Sequence, residues 1–178
     1  MFQKLTSLLL ALCLAAGLAA CGGGNSSTSS SSAGSGSSQS PSSSSSLLEA
    51  DFKTLLDDIY KGYEDVMGVQ DIEGDAAADI LGLEEGTYDQ LAARQSLARF
   101  NIGDVVIVRP TEGNTEAVKE KLEAYRKSKE ELFQNYNVGG DYEKAQNAEI
   151  YEQGGYVVLV MFGDNEPAKK LIDGLLGK

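Results

Sequence analysis

Apolar positions along residues 47–178 alternate between a helical and a strand-like period. Leu48, Phe52, Leu55, Ile59 and Tyr63 recur at helical spacing, with Asp51, Lys53, Asp57, Asp58 and Lys61 on the other side. That pattern predicts an amphipathic first helix with one face committed to a core. The signal weakens over 68–86, where 75–81 suits a short helix and Glu84-Glu85-Gly86 a turn. Residues 88–97 read equally as helix, from Ala92 and Ala93, or as a strand pairing with the next apolar run. The β-branched run Val105-Val106-Ile107-Val108 marks 102–109 as a buried strand, which Pro110 ends.

Asn114 or Thr115 then caps a long helix, with Glu116 in its first turn. Its apolar stripe is Val118, Leu122, Tyr125, Leu132, Phe133 and Tyr136, interrupted by Lys129 and closed over 137–140. Residues 148–152 and 156–162 read as a hairpin about Gln153-Gly154-Gly155. Seven apolar residues in a row from Tyr156 predict a strand covered on both faces, central in its sheet. Asp164 or Asn165 caps a last helix with Pro167 in its first turn, and Leu171, Ile172, Leu175 and Leu176 face inward.

The predicted fold class is therefore α+β: an antiparallel sheet of three to four strands packed with a long helix and with N- and C-terminal helices. A parallel arrangement, with the long helix as a right-handed crossover, ranks second. The 132 residues of 47–178 suffice for one domain and are few for two.

The first 20 residues have the parts of a secretory leader: a basic start at Lys4, an apolar centre and small residues before a cut. The apolar run 8–21 has 14 residues, short of the roughly 20 that span a bilayer. Leu18-Ala19-Ala20-Cys21, with Gly22 behind it, resembles the lipobox of a bacterial lipoprotein, and Cys21 is the expected lipidation site. Cleavage after Ala20 by the peptidase for soluble proteins is the alternative. A diacylglyceryl thioether supplies two chains (palmitate-type acyl groups), which suffices for stable anchoring where one chain does not.

Residues 21–46 then form the lipidated cysteine and a tether. Fifteen of the 25 residues in 22–46 are serine, so the expectation is a disordered spacer. Its root-mean-square reach is about 25–30 Å. The whole chain carries 15 Lys+Arg against 27 Asp+Glu; losing Lys4 with the leader leaves 14 against 27, a formal charge of −13. Such a surface is repelled by anionic headgroups and by phosphates, so no nucleic acid is expected as a partner. The two cysteines are Cys13, in the leader, and Cys21, so the mature domain is expected to fold without disulfides.

The domain resembles a group of small extracytoplasmic lipoproteins of Gram-positive bacteria defined by a domain of unknown function. Three features carry the resemblance: the strand Ile102-Gly103-Asp104-Val105-Val106-Ile107-Val108, the long charged helix after it, and Gly155-Tyr156-Val157-Val158 ahead of a short acidic turn. It covers roughly 48–164 and implies location and fold, with no activity or functional residue attached.

Chemistry is narrowed further by what is missing. The chain has no histidine, which removes the imidazole base of hydrolytic triads and the commonest zinc ligand. Ser128-Lys129 sits mid-helix as adjacent residues that face different ways, and reads as solvated helix surface. Gly139-Gly140 and Gly154-Gly155 lack the spacing and lysine of a phosphate loop, and read as a helix terminator and a hairpin turn. Asp71, Glu73 and Asp75 resemble the start of a calcium loop, but the glycine is misplaced and Gly82 stands where a glutamate is needed. Glu73 and Asp75 are better read as a solvated loop and a helix N-cap. Tyr60, Tyr63, Tyr125 and Tyr136 belong to helix stripes. Tyr142, Tyr151 and Tyr156 are either core edge or an exposed platform for a glycan or peptide.

No catalytic residue, cofactor or metal site is expected. The reading is a lipid-anchored, non-enzymatic module at the outer face of the cell membrane, binding another envelope protein or glycan. The alternatives are a solute-binding lipoprotein associated with transport, and an enzyme acting on wall glycans through carboxylates alone. The second of these needs two buried acids about 5–10 Å apart in a groove.

Overall fold

The computed structural model describes residues 47 and 49–177; the leader, Cys21 and the tether lie outside them. Helix α1 (Glu49–Lys61) is followed by a short strand β1 (Val69–Asp71), helix α2 (Ala76–Leu81), and strands β2 (Tyr88–Ser96) and β3 (Asp104–Pro110). Helices α3 (Thr115–Gln134) and α4 (Asp141–Gln146), strands β4 (Glu149–Gln153) and β5 (Tyr156–Met161), and helix α5 (Glu166–Leu176) complete it. The strands form one antiparallel sheet in the order β1-β2-β3-β5-β4.

The sheet is the middle of three layers. On one face Val106 and Val108 of β3 and Val157, Leu159 and Met161 of β5 pack under Val118, Leu122 and Tyr125 of α3. On the other, Val105, Ile107, Val158 and Val160 pack under Phe52, Leu55 and Ile59 of α1 and Ala168 and Ile172 of α5. Successive side chains of a strand point to opposite faces. Strands β3 and β5 meet a helical layer on each side, which is why their sequences do not alternate. The strand β5 expected to be central has neighbours on both edges and six buried residues.

The class is α+β, with five strands where three to four were expected. The fifth is β1, three residues long and mostly exposed, too short to show a period. The ambiguous stretch 88–97 is a strand, paired with β3 over Tyr88–Pro110 to Arg94–Val105. The β4–β5 hairpin turns on Gly154 (φ +58°) and Gly155 (φ +83°). Two positive φ values in a two-residue loop match the twist of the strands they join.

Several side chains differ from the pattern. Leu132, Tyr136 and Leu171 are exposed: Leu132 lies off the buried stripe that ends at Phe133, Tyr136 follows the end of α3, and α5 is covered on one side only. Helix α4 follows the positive-φ pair Gly139 and Gly140, so the segment that closes α3 also starts another helix. Asn114 and Asn165 hold the N-cap positions without a side-chain cap bond, and at α5 it is Asp164 whose Oδ1 accepts from the Glu166 N–H at 3.1 Å. Asn114 donates to Thr111 Oγ1 at 2.7 Å, while Asn165 accepts from the Phe162 N–H at 2.8 Å and donates to the Asn147 carbonyl at 2.9 Å. Asp75 likewise makes no side-chain cap bond to α2.

Candidate functional site

Charge inside the domain is used to join its layers. Arg94 projects from β2 beneath α1 with its side chain nearly buried. Its Nη1 lies 2.9 Å from Asp57 Oδ1 on α1, Nη2 lies 3.2 Å from Asp71 Oδ2 on β1, and Nε meets the same Asp71 carboxylate. The guanidinium also sits 5.4 Å from the centre of the Tyr60 ring. One side chain thus pins helix, edge strand and sheet in a planar, forked geometry that a lysine cannot reproduce. The hydrogen bond from Arg94 holds the Asp57 carboxyl below its ordinary pKa, and the Asp71 carboxylate raises that of Arg94.

On the opposite face Asp104 is fully buried at the start of β3. It accepts from the Ser96 N–H at 2.8 Å, from the Tyr125 hydroxyl at 2.7 Å, and pairs with Lys129 at 3.0 Å. Burial first, then the Asp104 charge, raises the pKa of the Tyr125 hydroxyl, and the same two causes raise that of Tyr60. Asp141, also fully buried, accepts from the Ile102 N–H at 3.0 Å and pairs with Lys144 at 3.1 Å. These two acids face lysines of α3 and α4.

One concave feature among the described residues lies between α1 and β2, an open groove of about 610 Å³. Phe52 and Leu56 of α1, Ile72, and Leu91 and Ala92 of β2 line its apolar part. Glu49, Asp71, Glu73 and Asp89 stand around it, with Lys53 the basic residue among them. It presents an apolar bed, an acidic margin and a stretch of strand backbone.

Among the described residues that backbone has no partner strand beyond the end of the short β1. Strand β1 pairs with β2 only from Asp71–Arg94 to Val69–Ser96, and the Ile72 N–H adds one bond to the Ala93 carbonyl at 2.8 Å. N–H and C=O of alternate residues point the same way along a strand. Leu91 therefore turns its backbone groups to the side of Ala93, beyond the end of β1, and the alternation stops at Asp89, the extra residue where the β2–β3 register shifts.

A family defined by a domain of unknown function, DUF4358, matches residues 63–162, more than half of the 178. The chain belongs to this family. The DUF4358 match spans the whole sheet with α2, α3 and α4, against an expected extent of about 48–164, and leaves out α1 and α5. The β2 side of the groove thus lies within the DUF4358 domain and the α1 side outside the matched residues. No match was found among curated proteins or solved structures.

Other residues singled out by sequence are dispersed. Cys21 is outside the described residues. Of the acidic triplet, Asp71 is turned to Arg94, Glu73 stands at the groove and Asp75 is apart; among the described residues no group of three or more ligating side chains could hold a metal ion. Lys129 is not solvated helix surface: it reaches the buried Asp104, while the neighbouring Ser128 hydroxyl donates to the Tyr125 carbonyl at 2.7 Å. Tyr142 packs on the α3 side of the sheet, Tyr151 and Tyr156 on the α1 side, so the three do not share a platform. Tyr156 is buried and donates to Gln90 Oε1 at 2.7 Å. The groove was not foreseen; its one sequence signal is the strand-or-helix ambiguity of 88–97.

Proposed function

We propose that the chain is a lipid-anchored extracytoplasmic module of a Gram-positive cell envelope, held at the outer face of the membrane through Cys21, that binds another envelope component without catalysis. The observation that carries the binding role is the open groove over β2, with an apolar bed and a strand edge unpaired among the described residues, in a domain whose buried acids are held by lysines and main-chain N–H groups. The lipobox-like Leu18-Ala19-Ala20-Cys21 and the serine-rich stretch behind it support the anchor and the tether. Among the described residues no helix is long and apolar enough to cross a membrane, so the reading rests attachment on Cys21.

The test is fractionation of cells carrying the wild type or Cys21→Ala, followed by crosslinking and capture from intact cells. The wild type is expected in the membrane fraction with a diacylglyceryl mass on Cys21, and the variant in the medium. Retention of Cys21→Ala on membranes, or an unmodified thiol at Cys21, rejects the anchor. Capture of no envelope component rejects the binding role.

A further inference from the structure

The open length of β2 has the complement of a particular ligand. An unpaired strand edge offers N–H and C=O groups at a regular spacing, and an extended polypeptide matches that spacing. We propose that the groove takes up an extended, basic segment of a partner polypeptide as an added strand antiparallel to β2, in line with β1. The inference rests on the binding role proposed above and names the chemistry of the partner.

Three observations converge on that occupant. First, the edge is continuous with an existing pairing: the bond from the Ile72 N–H to the Ala93 carbonyl closes the β1–β2 ladder, and Leu91 offers the next outward pair of backbone groups. Second, side chains of an added strand alternate between two faces. Those turned toward α1 lie over Phe52, Leu56 and Ala92, whose side chains are mostly covered within the core, so the backbone edge and the acidic margin carry the recognition. Third, the margin is acidic. Among the described residues neither Glu49 nor Glu73 has an ion-pair partner, and Asp89 has only Arg109, at 3.7 Å. Lysine or arginine at alternate positions of the segment answers those carboxylates, whereas an acidic segment is repelled. The acetamido groups of a wall glycan recur at the spacing of its sugars, whereas the amides of an extended polypeptide recur at the spacing of the strand edge.

The test uses the full-length chain in detergent micelles and two blocked octapeptides as probes, one alternating lysine with valine and one alternating glutamate with valine. A soluble peptidoglycan glycan fragment is the third probe. Amide hydrogen exchange is read at Leu91, alongside binding at low and raised salt. The lysine peptide is expected to bind, to slow exchange at Leu91, and to weaken as salt rises. Glu49→Lys with Glu73→Lys, both on exposed positions, is expected to weaken it about tenfold.

Equal binding of both peptides, unchanged Leu91 exchange with the lysine peptide bound, or binding of the glycan alone overturns the proposal. So does slow Leu91 exchange without peptide: if it grows with protein concentration a second copy fills the edge, and if it does not the chain's own N-terminal segment does. Intact-cell capture separates this failure from that of the broader reading. A Glu49→Lys/Glu73→Lys chain that still captures the wild-type partner leaves the binding role standing and removes the groove from it.

Discussion

Lys129 Nζ lies 3.0 Å from Oδ2 of Asp104, a carboxylate with no exposed surface, at the point where a lysine interrupts the apolar stripe of α3. Tyr125, one helical turn earlier, donates to the same oxygen at 2.7 Å. Residues four apart lie on one helix face, so the interruption is a matched device: two donors on α3 meet one acceptor on β3. Removing one partner of a buried ion pair leaves the other charge uncompensated, at about 3–5 kcal/mol.

Lys129→Met is therefore expected to lower unfolding stability by about 3 kcal/mol, near the low end because Tyr125 and the Ser96 N–H still serve the carboxylate. Lys129→Met with Asp104→Asn is expected to lose less than the two single changes together. Urea unfolding of the four proteins measures the cycle. Additive losses would mean that the pair is uncoupled.

Alkaline pH probes the two buried phenols. The Tyr60 hydroxyl shares its one proton between the Gly103 carbonyl at 2.8 Å and the Arg94 carbonyl at 3.0 Å, and both its pKa and that of Tyr125 are raised in the fold, chiefly by burial. An unfolded tyrosine ionises at about pH 10. Because the folded values are higher, the unfolded chain holds fewer protons above that pH. Stability is then full below about pH 10 and falls as pH rises beyond it. Phenolate absorbance and circular dichroism, followed together, are expected to show Tyr60 and Tyr125 ionising only with loss of structure, and Tyr125→Phe to flatten the fall. Ionisation of both with the fold intact would contradict their burial.

Much of this fold could be read from the chain because its strands and long helices carry strong periods. The runs 105–108 and 156–162 have no polar position, and each lies between two helical layers as that implies. The features that build the groove are local and quiet by comparison. Strand β1 has three residues, and the bed at Ala92 is an alanine that suits either helix or strand. Lys129 looked like surface because a sequence does not disclose that a buried aspartate waits opposite. Asn114 and Asn165 stand at the cap positions as expected, but their side chains turn back three residues, to Thr111 and to the Phe162 N–H, and Asn165 also reaches the Asn147 carbonyl.

The groove-side ion network is tested by Arg94→Lys. A lysine keeps the charge but supplies a point contact, so Asp57 and Asp71 can no longer both be met by a planar fork. The change is expected to loosen β1 and α1 from β2 before it unfolds the sheet: faster amide exchange at Gln70–Ile72, with the β3–β5 amides little altered. Hydrogen exchange by mass spectrometry reads both regions at once. Uniformly faster exchange would show that Arg94 serves global stability, and not the edge alone.

The hairpin turn separates two glycines with the same backbone sign. Gly154 and Gly155 both have positive φ, which an L-residue adopts at about 1 kcal/mol. At Gly155 an added methyl meets nothing within 4 Å, whereas at Gly154 it runs into the Leu176 backbone carbonyl at the end of α5. Gly155→Ala is thus expected to cost about 1 kcal/mol. Gly154→Ala carries that strain together with an overpacking term of about 1–3 kcal/mol, because the last turn of α5 must move. Urea midpoints of the two variants decide it. Near-equal losses would mean that α5 does not rest on the turn, and the C-terminal helix would then be held by Ala168, Ile172 and Leu176 in the core beneath it.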